Sequence, residues 1–112
     1  MTLLLLLLAC GDKESAADDS EARPASCDSA PGVTWDNWGD GFFATYCRAC
    51  HSANTPARMG APESINFDTE AEVRAQTDLV RSAVLERESM PVGGGVYEED
   101  LYLLDVLLTC GL

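Results

Sequence analysis

The stretch Thr34-Trp35-Asp36-Asn37-Trp38-Gly39-Asp40-Gly41-Phe42-Phe43-Ala44-Thr45-Tyr46-Cys47-Arg48-Ala49-Cys50-His51 decides the reading of this chain. Trp35, Trp38, Phe42 and Tyr46 recur at spacings of 3, 4 and 4, the period of one buried helix face. Thr34 stands where a helix needs a side-chain acceptor for its first free amides. Gly39 and Gly41 each cost such a helix about 1 kcal/mol relative to alanine. Gly39 lies with Phe43 on the flank of the stripe, where a second backbone is expected to cross closely. Trp35 and Trp38 are expected to pack between helices.

Downstream, Thr69-Glu70-Ala71-Glu72 has the form of a capping box, followed by Val73, Gln76, Val80, Ala83 and Val84 on one helical face. Arg74 and Asp78 stand four apart on the other face, as an ion pair. A third helix is expected from Glu98 to Cys110. Glu98, Glu99 and Asp100 suit the positive end of its dipole, and Gly111 suits its stop. Its two stripes, Leu101, Leu104 and Leu108 against Leu103, Leu107 and Cys110, require cover on both sides. Strand alternation is missing throughout. The expected class is all-α, with three main helices at about 34–50, 69–87 and 98–110 and long loops at about 52–67 and 89–96.

With 112 residues, 46% of them hydrophobic, the chain has the length and composition of one small globular domain. Nineteen acids against seven bases leave a formal charge of −12, a poor match for phosphate backbones, so nucleic-acid binding is not expected. No run of 18 apolar residues occurs, so no spanning helix is expected.

Leu3 to Leu8 form an unbroken leucine run, followed by Ala9, Cys10 and Gly11. The run is too short to span a bilayer and reads as an export signal over residues 1–9, although only Met1 and Thr2 precede it in place of a charged segment. Leu7-Leu8-Ala9-Cys10 resembles the box of a bacterial lipoprotein signal. That resemblance implies cleavage before Cys10 and a diacylglyceryl group on its thiol. An ordinary secretory signal, or a buried leucine segment with a free thiol, is the alternative. Residues 12–21 hold five acids, and Pro24 and Pro31 follow, so residues 10–32 are expected to form an acidic tether ahead of a domain at 33–112.

Cys47-Arg48-Ala49-Cys50-His51 is a C-x-x-C-H, the attachment motif for c-type haem. Two cysteines three apart on one helical turn can form thioethers with neighbouring vinyl groups. The next residue, His51, then supplies a neutral imidazole to the iron, with its outer N–H given to a carbonyl or carboxylate. Three rival readings remain. A zinc site would need a second ligand pair, and His51 is the only histidine. A thioredoxin-type pair belongs after a strand, and helix precedes this one. A structural Cys47–Cys50 disulfide would leave His51 without a role.

The span 34–111 resembles a small single-haem cytochrome c domain: a helix leading into C-x-x-C-H, a later Met90-Pro91, and a closing helix. In that family a glycine eight residues before the first haem cysteine and an aromatic four before it meet the last helix, the places held here by Gly39 and Phe43. The family's aromatic partner in that helix has no obvious counterpart; Tyr102 is off register and Val106 or Leu107 takes its place. The resemblance implies Met90, in Ser89-Met90-Pro91-Val92-Gly93, as the second axial ligand, with Met59 or an open site as alternatives. It also implies that a proline carbonyl, here Pro62, orients His51. Arg48 and Arg58 are candidates to meet the haem propionates. With Cys10 lipidated and Cys47 and Cys50 on haem, Cys27 and Cys110 remain as a disulfide pair in an exported protein.

Together these features lead to the expectation of a lipid-anchored, periplasm-facing carrier of single electrons holding one covalent haem c. It is expected to be no enzyme and to have no small-molecule substrate. A basic redox partner is expected. Gly11 after the lipidated cysteine favours the outer membrane. The alternatives are an enzyme or small-ligand sensor with an open sixth site, and a haem-free structural domain.

Overall fold

The computed structural model describes residues 26–112. The expected signal at 1–9, Cys10 and the tether as far as residue 25 lie outside the described residues. Among the described residues the fold is helical and contains no strand. No helix there is long and apolar enough to cross a membrane.

The first helix opens with a π-helical turn, Trp35–Gly39, that runs into α1, Asp40–Tyr46. Thr34 caps it as expected. Its hydroxyl accepts from the Asn37 amide at 3.2 Å, while the Asn37 side chain accepts from the Thr34 amide at 2.8 Å. The helix stops at Tyr46, short of the expected residue 50. The Cys47 and Arg48 amides both reach the Phe43 carbonyl, at 2.9 and 3.0 Å, and Cys47 takes a φ of −124°. That breaks the regular ladder. Cys47 to Cys50 continue as tight turns in which the Cys50 and His51 amides return to the Cys47 carbonyl.

The expected helix at 69–87 is divided at Gln76 into α2, Glu70–Ala75, and α3, Thr77–Val80, the latter extended by a π-helical turn Arg81–Glu86. The Thr77 hydroxyl donates back to the Arg74 carbonyl at 3.0 Å, a local bond that competes with the helix ladder and bends it. The capping box at Thr69 and Glu72 forms as read from the sequence. Arg74, however, pairs with Glu70 at 3.0 Å rather than with Asp78. The last helix is α4, Glu98–Val106, continued by a π-helical turn Leu107–Gly111.

The core is formed by Phe43 from α1, Val73 from α2, and Leu104, Val106 and Leu107 from the last helix, all fully enclosed. Five consecutive residues, Leu104 to Leu108, are buried, so this helix is covered all round, as its two stripes require. One of the five is Asp105, which accepts from Arg81 at 2.6 Å and so joins the last helix to the turn after α3. Where the first and last helices meet, a Cβ on Gly39 would lie 2.9 Å from Leu107 Cδ2, so Leu107 is the residue of the last helix that meets Gly39.

Cys27 and Cys110 are disulfide-bonded with Cα atoms 5.5 Å apart across 83 residues of chain. Cys27 sits in a short 3₁₀ turn, Cys27–Ser29, and the Asn37 side chain donates to the Gly32 carbonyl at 2.8 Å. The folded unit therefore takes in chain ahead of the expected start at residue 33. Gly111 closes the same corner: a Cβ there would collide with the Val33 carbonyl.

Candidate functional site

The side chains singled out by the sequence lie on three different segments, and a cavity of about 380 Å³ brings four of them together: Cys47, His51, Pro62 and Met90. Phe43 and Tyr46 of α1 and the following Cys47 and His51 form one wall. Pro62, Ile65 and Phe67 of the long loop form the second, and Val80, Ala83 and Val84 the third. Met90 and Pro91 complete it. The volume falls in the range of roughly 300–1,000 Å³ usual for ligand cavities, and the lining is largely apolar.

His51 is held in one orientation. Its Nδ1 lies 3.0 Å from the Ile65 carbonyl. A carbonyl only accepts, so Nδ1 carries a proton, and the neutral ring has its lone pair on Nε2, the tautomer in which imidazole serves as a metal ligand through that atom. The Phe67 amide donates to the His51 carbonyl at 2.9 Å, and the two rings lie 5.4 Å apart. Asp68 fixes the next residues, accepting from the Ser52 hydroxyl at 2.6 Å and the Ala53 amide at 2.9 Å. The Ser52 bond, then the Ala53 bond, holds the Asp68 carboxyl below its ordinary pKa, with burial opposing.

The orienting carbonyl is thus Ile65's, not Pro62's. The Pro62 ring lines the cavity, but its carbonyl accepts from Arg58 at 2.6 Å. Neither Arg48 nor Arg58, the candidates for the propionates, lines the cavity. Arg58 clamps loop carbonyls, and Arg48 donates to the Phe67 carbonyl at 2.7 Å and to Asp40 at 2.6 Å, with its guanidinium 5.6 Å above the Trp35 ring. Both are drawn inward because loop carbonyls without a helix ladder need donors. The cation that does line the cavity is Arg87, beside Ser89; nothing in its helix-end position announces this in the sequence. Trp35 and Trp38 pack on Phe43 and Phe42 and leave the cavity alone.

Met90 lines the cavity with 40% of its surface exposed, whereas Met59 is 83% exposed and stands outside it. The Ser89 and Met90 amides both reach the Ala83 carbonyl, at 2.8 and 3.1 Å, which ties the Met90 backbone to the cavity wall. Glu88 turns the chain there with a φ of 52°.

Cys47 and Cys50 are free thiols; Cys47 lines the cavity and Cys50 stands half-buried one turn on. Burial pushes the Cys47 thiol up to about 12, against a smaller opposing pull from Arg48. A redox-active pair requires the reverse, a thiol with a depressed pKa. A structural zinc site wants four ligands, and among the described residues no group of three or more His, Cys, Asp and Glu side chains gathers to hold a metal.

No family model matches the chain, and neither a curated relative nor a solved structure matches it. The functional reading therefore rests on the motif and the cavity.

Proposed function

We propose that this chain carries single electrons on one covalently held c-type haem. The observation that supports it is the convergence of Cys47 and His51, from the turns after α1, and Met90, from the loop before α4, on one largely apolar cavity. Such a haem supplies a one-electron Fe(III)/Fe(II) couple, raised in potential by thioether ligation.

In this reading Cys47 and Cys50 would hold the group by thioethers. His51 Nε2 and the Met90 sulfur would be its axial ligands. The surrounding Phe43, Phe67 and Val80 would keep the site dry, which favours the less charged, reduced state. Arg87 and Ser89, at the polar part of the lining, are the groups suited to propionates. The fold class that goes with this reading is cytochrome c-like. Cys10 would carry the lipid that holds the domain at a periplasmic membrane face, the outer membrane being favoured, and the charge of −12 suits a basic redox partner.

The 40% exposure of Met90 favours one second reading, a small-ligand sensor or enzyme in which the thioether gives way to an incoming molecule. Carbon monoxide added to the reduced protein at neutral pH separates the two: slow, weak binding supports the electron carrier, and prompt, tight binding the sensor or enzyme.

The proposal is tested by haem staining after denaturing electrophoresis of protein exported in a host with cytochrome c maturation factors. Stain that stays with the chain, and is lost in a Cys47→Ser, Cys50→Ser double variant, is expected. An unstained wild-type band contradicts it.

A further inference from the structure

The Ile65 carbonyl serves two donors. His51 Nδ1–H reaches it at 3.0 Å, and Arg58 Nη2 reaches it at 3.0 Å. A carbonyl oxygen has two lone pairs and can accept both. The two bonds nevertheless draw on one electron density, and the donor with full positive charge draws harder. Arg58 is firmly placed for this: Nη1 donates to the Ser52 carbonyl at 2.7 Å and Nη2 also to that of Pro62 at 2.6 Å. An arginine guanidinium brings a full positive charge and a planar fork of donors to such carbonyls.

We propose that Arg58 is a tuning and positioning residue for His51, acting through the Ile65 carbonyl. By occupying that oxygen, Arg58 weakens the hydrogen bond from Nδ1–H to Ile65 and lowers the donor strength of Nε2. Strong acceptors on the outer N–H raise the basicity of a ligating imidazole, so a cation on the acceptor does the opposite. A poorer donor favours Fe(II), and Arg58 thereby raises the reduction potential. The inference rests on the haem reading of the cavity.

The test uses the haem-loaded full chain and its Arg58→Gln and Arg58→Lys variants. Two quantities are read: the midpoint potential, and the His51 Nδ1–H proton resonance in the reduced protein. Wild-type protein without haem absorbance overturns the haem reading and this inference together, before any variant is compared. With haem present, Arg58→Gln is expected to move the resonance downfield, as the hydrogen bond from Nδ1–H to the Ile65 carbonyl strengthens. It should also lower the Fe(II)/Fe(III) ratio at a fixed poise by up to about tenfold, equivalent to about 59 mV. Arg58→Lys keeps the charge but loses the planar fork, and is expected to move both quantities the same way by less. A lower potential with an unmoved resonance means that Arg58 acts only as a distant charge, and overturns the proposal. So do wild-type values of both quantities in either variant. Should Arg58→Gln fail to fold, the Lys variant decides by the same criteria.

Discussion

Gly39 and Leu107 meet at the crossing of the first and last helices, with the glycine's missing side chain occupied by a leucine methyl: an added Cβ would stand 2.9 Å from Leu107 Cδ2 and 3.1 Å from the Trp35 ring. Leu107 is fully buried, and a side chain in a close-packed interior yields only at a cost. Gly39→Ala gains up to about 1 kcal/mol of helix propensity, but overpacking of a filled core costs about 1–3 kcal/mol. The net expectation is a loss of about 1 kcal/mol. Gly41→Ala, with nothing within 4 Å, is expected to stabilise by about 0.5–1 kcal/mol. Urea denaturation of the two variants reads the opposite signs directly.

Arg81 and Asp105 form a second tie to the last helix, at 2.6 Å with Asp105 only 3% exposed. Thr109 supports the pair, accepting from Arg81 at 2.8 Å and donating to Asp105 at 3.2 Å. Removing one partner leaves a charge partly stranded. Asp105→Ala is expected to lower stability by about 3 kcal/mol, measured by the same denaturation. An Arg81→Met, Asp105→Leu double variant should recover much of that loss.

Stability at low pH should depend on Asp68. Its carboxyl is held below the ordinary value, chiefly by the Ser52 hydroxyl and then by the Ala53 amide. A depressed folded pKa adds stability that is fully present above the unfolded value of about 3.9 and lost as pH falls through the folded one. Asp68→Asn is expected to be less stable than wild type at pH 7, and the gap should narrow below about pH 4. Denaturation midpoints measured from pH 7 down to pH 2 follow the change.

Met90 and Met59 make opposite predictions in the haem-loaded protein. Met90 lines the cavity, so Met90→Ala should lower the potential and abolish the sulfur-to-iron charge-transfer band. Met59 stands outside it, so Met59→Ala should leave both unchanged. Redox titration monitored optically measures the two variants side by side.

Much of this arrangement was legible in the chain because it depends on local chemistry. Thr34 and Thr69 cap their helices through neighbours three residues away, and the two stripes of the last helix state that it is enclosed. The Cys27–Cys110 disulfide was expected as the pair left once Cys10, Cys47 and Cys50 were set aside for the lipid and haem that the resemblances imply. What the chain did not disclose depends on loop backbone, for which there is no periodic signal. The Ile65 carbonyl became the partner of His51, although the resemblance pointed to Pro62, because a carbonyl acceptor can come from any residue type. Arg48 and Arg58, candidates for propionates, hold loop carbonyls that the sequence does not reveal. Asp105 gave no sign of burial, since its partner lies 24 residues earlier on a different element.

The central claim, an iron held between His51 and Met90 on a covalently attached porphyrin, is tested most directly by optical spectra of the exported protein, oxidised and reduced, made with cytochrome c maturation factors. Sharp low-spin bands on reduction, a sulfur-to-iron band on oxidation, and a chromophore that acidified solvent does not extract are expected. A colourless protein, or a pigment removed by that solvent, would contradict the claim.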